Sequence, residues 1–152
     1  MRTSGFRCWL LLGCMVCCSR GMVAQDLKVL VLDALDGKPQ GNVKVEYFCT
    51  GAPGNSMPKT TLTNNEGLAT VPILCSDAQE IDIMVFPPNK KEQCGVGPAT
   101  LKEMLSVGVV SKPDSDGGIW CPTKVSKNLK PVPGQVILFV KKPTWYQSHF
   151  AG

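Results

Sequence analysis

Apolar and polar residues alternate along much of this chain with a period of two, the spacing that sends successive side chains to opposite faces of a β-strand. Leu27, Val29 and Val31 share one face of a strand over residues 27–32, and Leu30 and Leu32 make its other face apolar too, so cover is expected on both sides. Residues 43–47 alternate cleanly, with Val43, Val45 and Tyr47 inward and charges outward. A threonine-rich strand over 59–63 and a strand over 68–74, joined by the turn Asn64, Asn65, Glu66 and Gly67, read as a hairpin. Pro72 donates no ladder hydrogen bond, which places the second of these strands at a sheet edge or ends it there. Ile81, Ile83 and Val85 alternate again up to Pro87, and the stretch 135–140, apolar on both faces, is expected to be a central strand.

Between the last two strands lies an insertion of about residues 89–134. Within it Leu101, Met104, Leu105 and Gly108 follow Pro98 at the spacing of one helix face, giving a helix of two to three turns that Pro98 would open. Residues 107–110 fit either the end of that helix or a further strand. A connection this long needs something to hold it. The pattern as a whole is that of an all-β sandwich with one short helical insertion.

Composition changes the picture first at the N-terminus. Arg2 and Arg7 precede an apolar run over residues 8–18, and Met22, Val23 and Ala24 supply a small-residue cleavage site, the arrangement of a signal peptide over residues 1–24. The run is too short to span a bilayer, which takes ~20 apolar residues. An alternative is a lipobox, with Leu11, Leu12 and Gly13 before a lipidated Cys14. Removing the leader removes all three arginines, leaving 13 of the 16 basic residues, all lysine, against 12 acidic ones. The remaining 152 − 24 = 128 residues suit one domain, 25–152, and a near-neutral chain gives no warrant for nucleic-acid binding. No second apolar span offers a transmembrane segment.

Four cysteines, Cys49, Cys75, Cys94 and Cys121, remain after the leader, an even set in a chain expected to be secreted, periplasmic or held at the cell envelope. Three pairings are open. The favoured one joins Cys94 to Cys121 across the insertion and Cys49 to Cys75, each closing a loop worth ~3 to 4 kcal/mol by chain entropy. Zinc is the rival, but spacings of 26, 19 and 27 residues contain no paired-cysteine knuckle.

Catalytic inventory is thin. His149 is the single histidine and stands at the C-terminal tail, where nothing would hold its imidazole. Asp114, Ser115, Asp116 and Gly117 match half a calcium loop but lack its closing glutamate, and read as a solvated turn. No cofactor site emerges. Trp120, Trp145 and Tyr146 could stack on a sugar or a partner peptide, or simply pack against the sandwich.

Asp33, Gly37, Pro39 and Gly41, the strand through Val43 and Val45, then Thr63 and Gly67, resemble the opening of a carboxypeptidase regulatory-like domain, with its D-x-x-x-G-x-P segment, alternating strand and T-x-x-x-G turn. The likeness covers about residues 27–86, with 136–140 as a last strand, and the closing stretch is similar to that of small secreted bacterial proteins with such a domain. It implies a transthyretin/immunoglobulin-like β-sandwich of about seven strands, and departs from this chain in the insertion, at the sixth strand. Enzymes on related sandwiches are not matched. Hydroxyisourate hydrolases use histidines and an arginine, and the chain after its leader has no arginine; intradiol dioxygenases use two tyrosines and two histidines, against Tyr47, Tyr146 and His149 here. The expectation is therefore a non-catalytic structural or protein-interaction module with a protein or cell-envelope partner, the alternative being a carbohydrate-binding module on a starch-binding-like sandwich with a polysaccharide as its partner.

Overall fold

The computed structural model describes residues 26–50, 57–73, 80–88, 91–94, 99–111 and 124–142. They form β1 (Asp26–Asp33), β2 (Lys44–Thr50), β3 (Lys59–Leu62), β4 (Leu68–Pro72), β5 (Glu80–Phe86), β6 (Glu92–Gln93), α1 (Leu101–Ser106), β7 (Val109–Val110) and β8 (Gln135–Lys141). A five-stranded sheet in the order β4-β1-β8-β6, with β7 also pairing β8, faces a three-stranded sheet in the order β3-β2-β5. The fold is an all-β sandwich with one short helix.

The alternation forecasts the layers. Leu27, Val29 and Val31 of β1 and Val136, Leu138 and Val140 of β8 meet Val45 and Tyr47 of β2 and Ile81, Ile83 and Val85 of β5 in the core between the sheets. The second apolar face of β1 and β8 is covered as well: Leu32, Ile137 and Phe139 join Ala34 and Cys94 in a separate cluster on the far side, flanked by Leu30, Val110, Val125 and Leu129. β8 is central, as expected, and it runs parallel to β1 in the register Val29 to Val136 and Val31 to Leu138. Its other edge is shared: β7 pairs in parallel with Val136 and Ile137, and β6 antiparallel with Val140 and Lys141. Pro72 ends β4 at a sheet edge.

Two expectations are corrected. β3 and β4 are not a hairpin: β3 pairs with β2 and β4 with β1, so the turn between them carries the chain from one sheet to the other. The turn itself is tight, Asn64 Oδ1 accepting the N–H groups of Glu66 and Leu68. Thr63 and Gly67 then commit its two ends to different layers. The Thr63 hydroxyl accepts the Val43 N–H at 2.9 Å and donates to the Gln40 carbonyl at 2.8 Å, while the Gly67 carbonyl accepts the Val31 N–H at 2.9 Å. Gly67 has φ +72°, and a Cβ there would stand 2.6 Å from the Val31 carbonyl oxygen, so this crossing requires glycine.

The helix is shorter than expected, six residues, and Thr100 rather than a proline caps it, its hydroxyl accepting the Glu103 N–H at 3.2 Å. Pro98 lies outside the described residues. The open choice at 107–110 resolves both ways: the helix closes at Val107, and Val109–Val110 is β7. Gly108 joins them at φ +85°, where a Cβ would collide with the Val132 carbonyl oxygen, and the Met104 carbonyl accepts the Gly134 N–H at 3.0 Å. These contacts tie the helix to the start of β8.

Gly108→Ala should therefore cost about 3 kcal/mol in urea unfolding, combining left-handed strain with a backbone collision. A loss below about 1 kcal/mol would show that the α1–β7 turn yields freely.

Candidate functional site

The residues of the D-x-x-x-G-x-P segment converge on one spot. Asp33 at the end of β1 accepts the Leu35 N–H through Oδ1 at 2.9 Å, and its carbonyl accepts the Gly37 N–H. Lys91, arriving from the far end of the chain's described β5–β6 connection, places Nζ 2.8 Å from Asp33 Oδ2 and 2.7 Å from Gln40 Oε1. Both charged side chains are largely covered. Each carboxylate oxygen has a donor, and Lys91 has two acceptors, so this triangle is a fastening between the first turn and the second half of the chain. It presents no reactive group. At the tip of the same turn, hydrogen bonding from Lys38 holds the Asp36 carboxyl below its ordinary value. That pair lies on the exposed tip of the turn, where solvent screens it.

The three-stranded sheet offers a different surface. Its core side packs against the five-stranded sheet, but its outer side carries Leu62, Met84 and Phe86, which are 58, 41 and 46 % exposed. The register makes them neighbours: Leu62, Lys44 and Phe86 form one row across β3, β2 and β5, Glu46 and Met84 stand opposite each other in the next, then Phe48 and Asp82. Lys44 is drawn into this face, with Nζ 2.7 Å from Glu46 Oε1 and 4.6 Å from the centre of the Phe86 ring. Among the described residues the five-stranded sheet has no comparable apolar face: on its far side a second cluster covers β8 and the end of β1, and the exposed Lys28 and Thr70 beside it are polar.

Beside β5 a cavity of about 330 Å³ opens. Ile81 and Ile83 of β5, Met104 of α1 and Val136 of β8 wall it from the core, with Ala99 and Val109. Phe48, Met84, Glu80 and Asp82 wall it on the outer side, so the cavity is continuous with the exposed apolar face. It is bounded at either end of β5 by contacts from the insertion: Gln93 Oε1 accepts the Val85 N–H at 2.6 Å, and Thr100 bridges Glu80.

Of the residues singled out from sequence, Cys49 and Cys94 are described and neither is a free thiol. Cys49 shares the core-facing side of β2 with Val45 and Tyr47, whereas Cys94 is fully buried with Ile137 and Phe139 on the far side of the five-stranded sheet. That sheet stands between the two sulfurs. Cys75, Cys121, Trp120, Trp145, Tyr146, His149, the half calcium loop at 114–117 and Cys14 lie outside the described residues. Among the described residues no group of three or more His, Cys, Asp or Glu side chains could hold a metal ion, and no helix is long and apolar enough to cross a membrane.

The outer face of β5 is apolar where strict alternation would place polar residues. Met84 and Phe86 on β5 and Phe48 on β2 stand apolar at the positions that alternate with the inward-facing residues, and that irregularity is the signal the sequence carries. The Asp33–Lys91 contact had none, since its partners are 58 positions apart. No family model, curated protein or solved structure matches this chain.

Tyr47, 7 % exposed, has its phenol pushed above the ordinary value by burial. An acid whose proton is held more tightly in the folded state leaves stability intact below the free phenol's pKa, ~10, and drains it as pH climbs past that value. We expect an alkaline titration followed by phenolate absorbance to show a late phase that disappears in Tyr47→Phe, together with a fall in unfolding free energy above pH ~10 that the variant lacks. A Tyr47 phase at the free-phenol value would contradict this.

Proposed function

We propose that the protein is a non-catalytic module of carboxypeptidase regulatory-like type, exported to the cell envelope or beyond, whose work is structural or is the binding of another protein. One observation carries the reading: a second cluster covers β8 and the end of β1 on the far side of one sheet, yet Leu62, Met84 and Phe86 stay exposed on the outer face of the other, Leu62 and Phe86 flanking Lys44 in one row. Contiguous exposed apolar patches on a sheet mark surfaces that something else covers. Incorporating a photo-crosslinking residue at Met84 or Phe86 in the producing cells should give a discrete protein adduct, and Leu62→Lys should diminish it. A partner-free result at both positions argues against the reading. Retention on a polysaccharide column, abolished by Trp120→Ala or Trp145→Ala, would favour the carbohydrate-binding alternative instead.

The module is further proposed to be stapled by Cys49–Cys75 and Cys94–Cys121. The placement of Cys49 and Cys94 on opposite sides of the five-stranded sheet supports this over a bond between those two. A non-reducing peptide map of exported material should return these pairs and a mature N-terminus after Ala24, with reduction costing about 3 kcal/mol per bridge. Free thiols, crossed pairs or a lipid on Cys14 would each refute the corresponding part.

A further inference from the structure

The cavity beside β5 has the volume of a small binding pocket, about 330 Å³. Its inner wall is made of core side chains, Ile81, Ile83, Met104 and Val136, and its outer wall passes directly into the exposed apolar face through Met84. An occupant that satisfies both therefore extends beyond the cavity, which favours a polypeptide over a small molecule. Glu80 and Asp82 complete the wall, and neither carboxylate has an ion-pair partner among the described residues. Two unpaired negative charges at the edge of an apolar cavity repel an acidic segment and attract a basic one.

We infer that this cavity seats a partner polypeptide that inserts one large apolar side chain between Ile83, Met104 and Val136 and lays an adjacent lysine or arginine against Asp82 and Glu80. The inference rests on the protein-binding reading above and names the partner's chemistry. The apolar side chain supplies affinity by leaving water for a wall of hydrocarbon, and the flanking cation sets selectivity and association rate.

The full exported chain is titrated with three blocked nonapeptides, alternating lysine with leucine, glutamate with leucine, and lysine with serine, and followed by methyl NMR. The lysine–leucine peptide should bind saturably and shift the methyl signals of Ile83, Met104 and Val136. The other two should bind at least about tenfold more weakly. The doubly substituted Glu80→Lys, Asp82→Lys protein, altered only at exposed positions, should lose the lysine–leucine peptide by a similar factor, and Ala99→Leu, which narrows the cavity, should weaken it with the charges intact. Equal binding of the glutamate–leucine peptide, binding without those methyl shifts, or no saturable binding up to millimolar peptide would overturn the inference. If the crosslinks at Met84 and Phe86 persist while the peptide fails, only this inference falls; if both fail, the protein-binding reading falls with it.

Discussion

Everything in this sandwich is arranged around the parallel pairing of β1 with β8. The two strands are apolar on both faces, and a strand of that kind costs free energy unless both faces leave water. The three-stranded sheet covers one side. The other is covered by Cys94, Val110, Val125 and Leu129 from the long connection between β5 and β8. That connection is thus more than a loop tolerated by the fold. It supplies the second layer that the two central strands demand, and it also closes the free edge of β8 with two short strands.

The same constraint accounts for the fastenings. A connection that must reach across a sheet has to be held at several points, and the contacts are polar and local to its ends: Lys91 on Asp33 and Gln40, Gln93 on the β5 backbone, Thr100 on Glu80, Gly134 on the end of α1. Each polar group there meets a partner, so these contacts fix geometry at little desolvation cost. The turn with Thr63 and Gly67 works in the same way at the other end of the sandwich, passing the chain between layers with its backbone groups satisfied.

Among the described residues of the two sheets, large apolar side chains remain in water on the outer face of β3, β2 and β5, whereas a second cluster covers the centre of the five-stranded sheet's far face. The cavity beside β5 runs from that face into the core. The proposed interaction role rests on this asymmetry between the two sheets.

Sequence by itself located β1 to β5 and β8 and most of their inward-facing side chains; the two-residue β6 leaves no periodic signal, and 107–110 fits a helix end or a strand alike. Alternation is a local property of extended backbone, so Val45 and Tyr47, Ile81 and Ile83, and the doubly apolar residues of β1 and β8 could be placed, and Pro72 announced an edge because it lacks a donor. What it could not determine was partnership. Residues 59–62 and 68–72 look like a hairpin because their turn is a good hairpin turn, yet each strand gains more by joining a different sheet, and only the packed layers record that preference. The parallel run of β8 on β1, the contact of Lys91 with Asp33 and the cavity shared by β5, α1 and β8 are decided in the same way: they depend on elements brought together over long separations, where the energy lies in the assembled core and leaves no periodic trace in the chain.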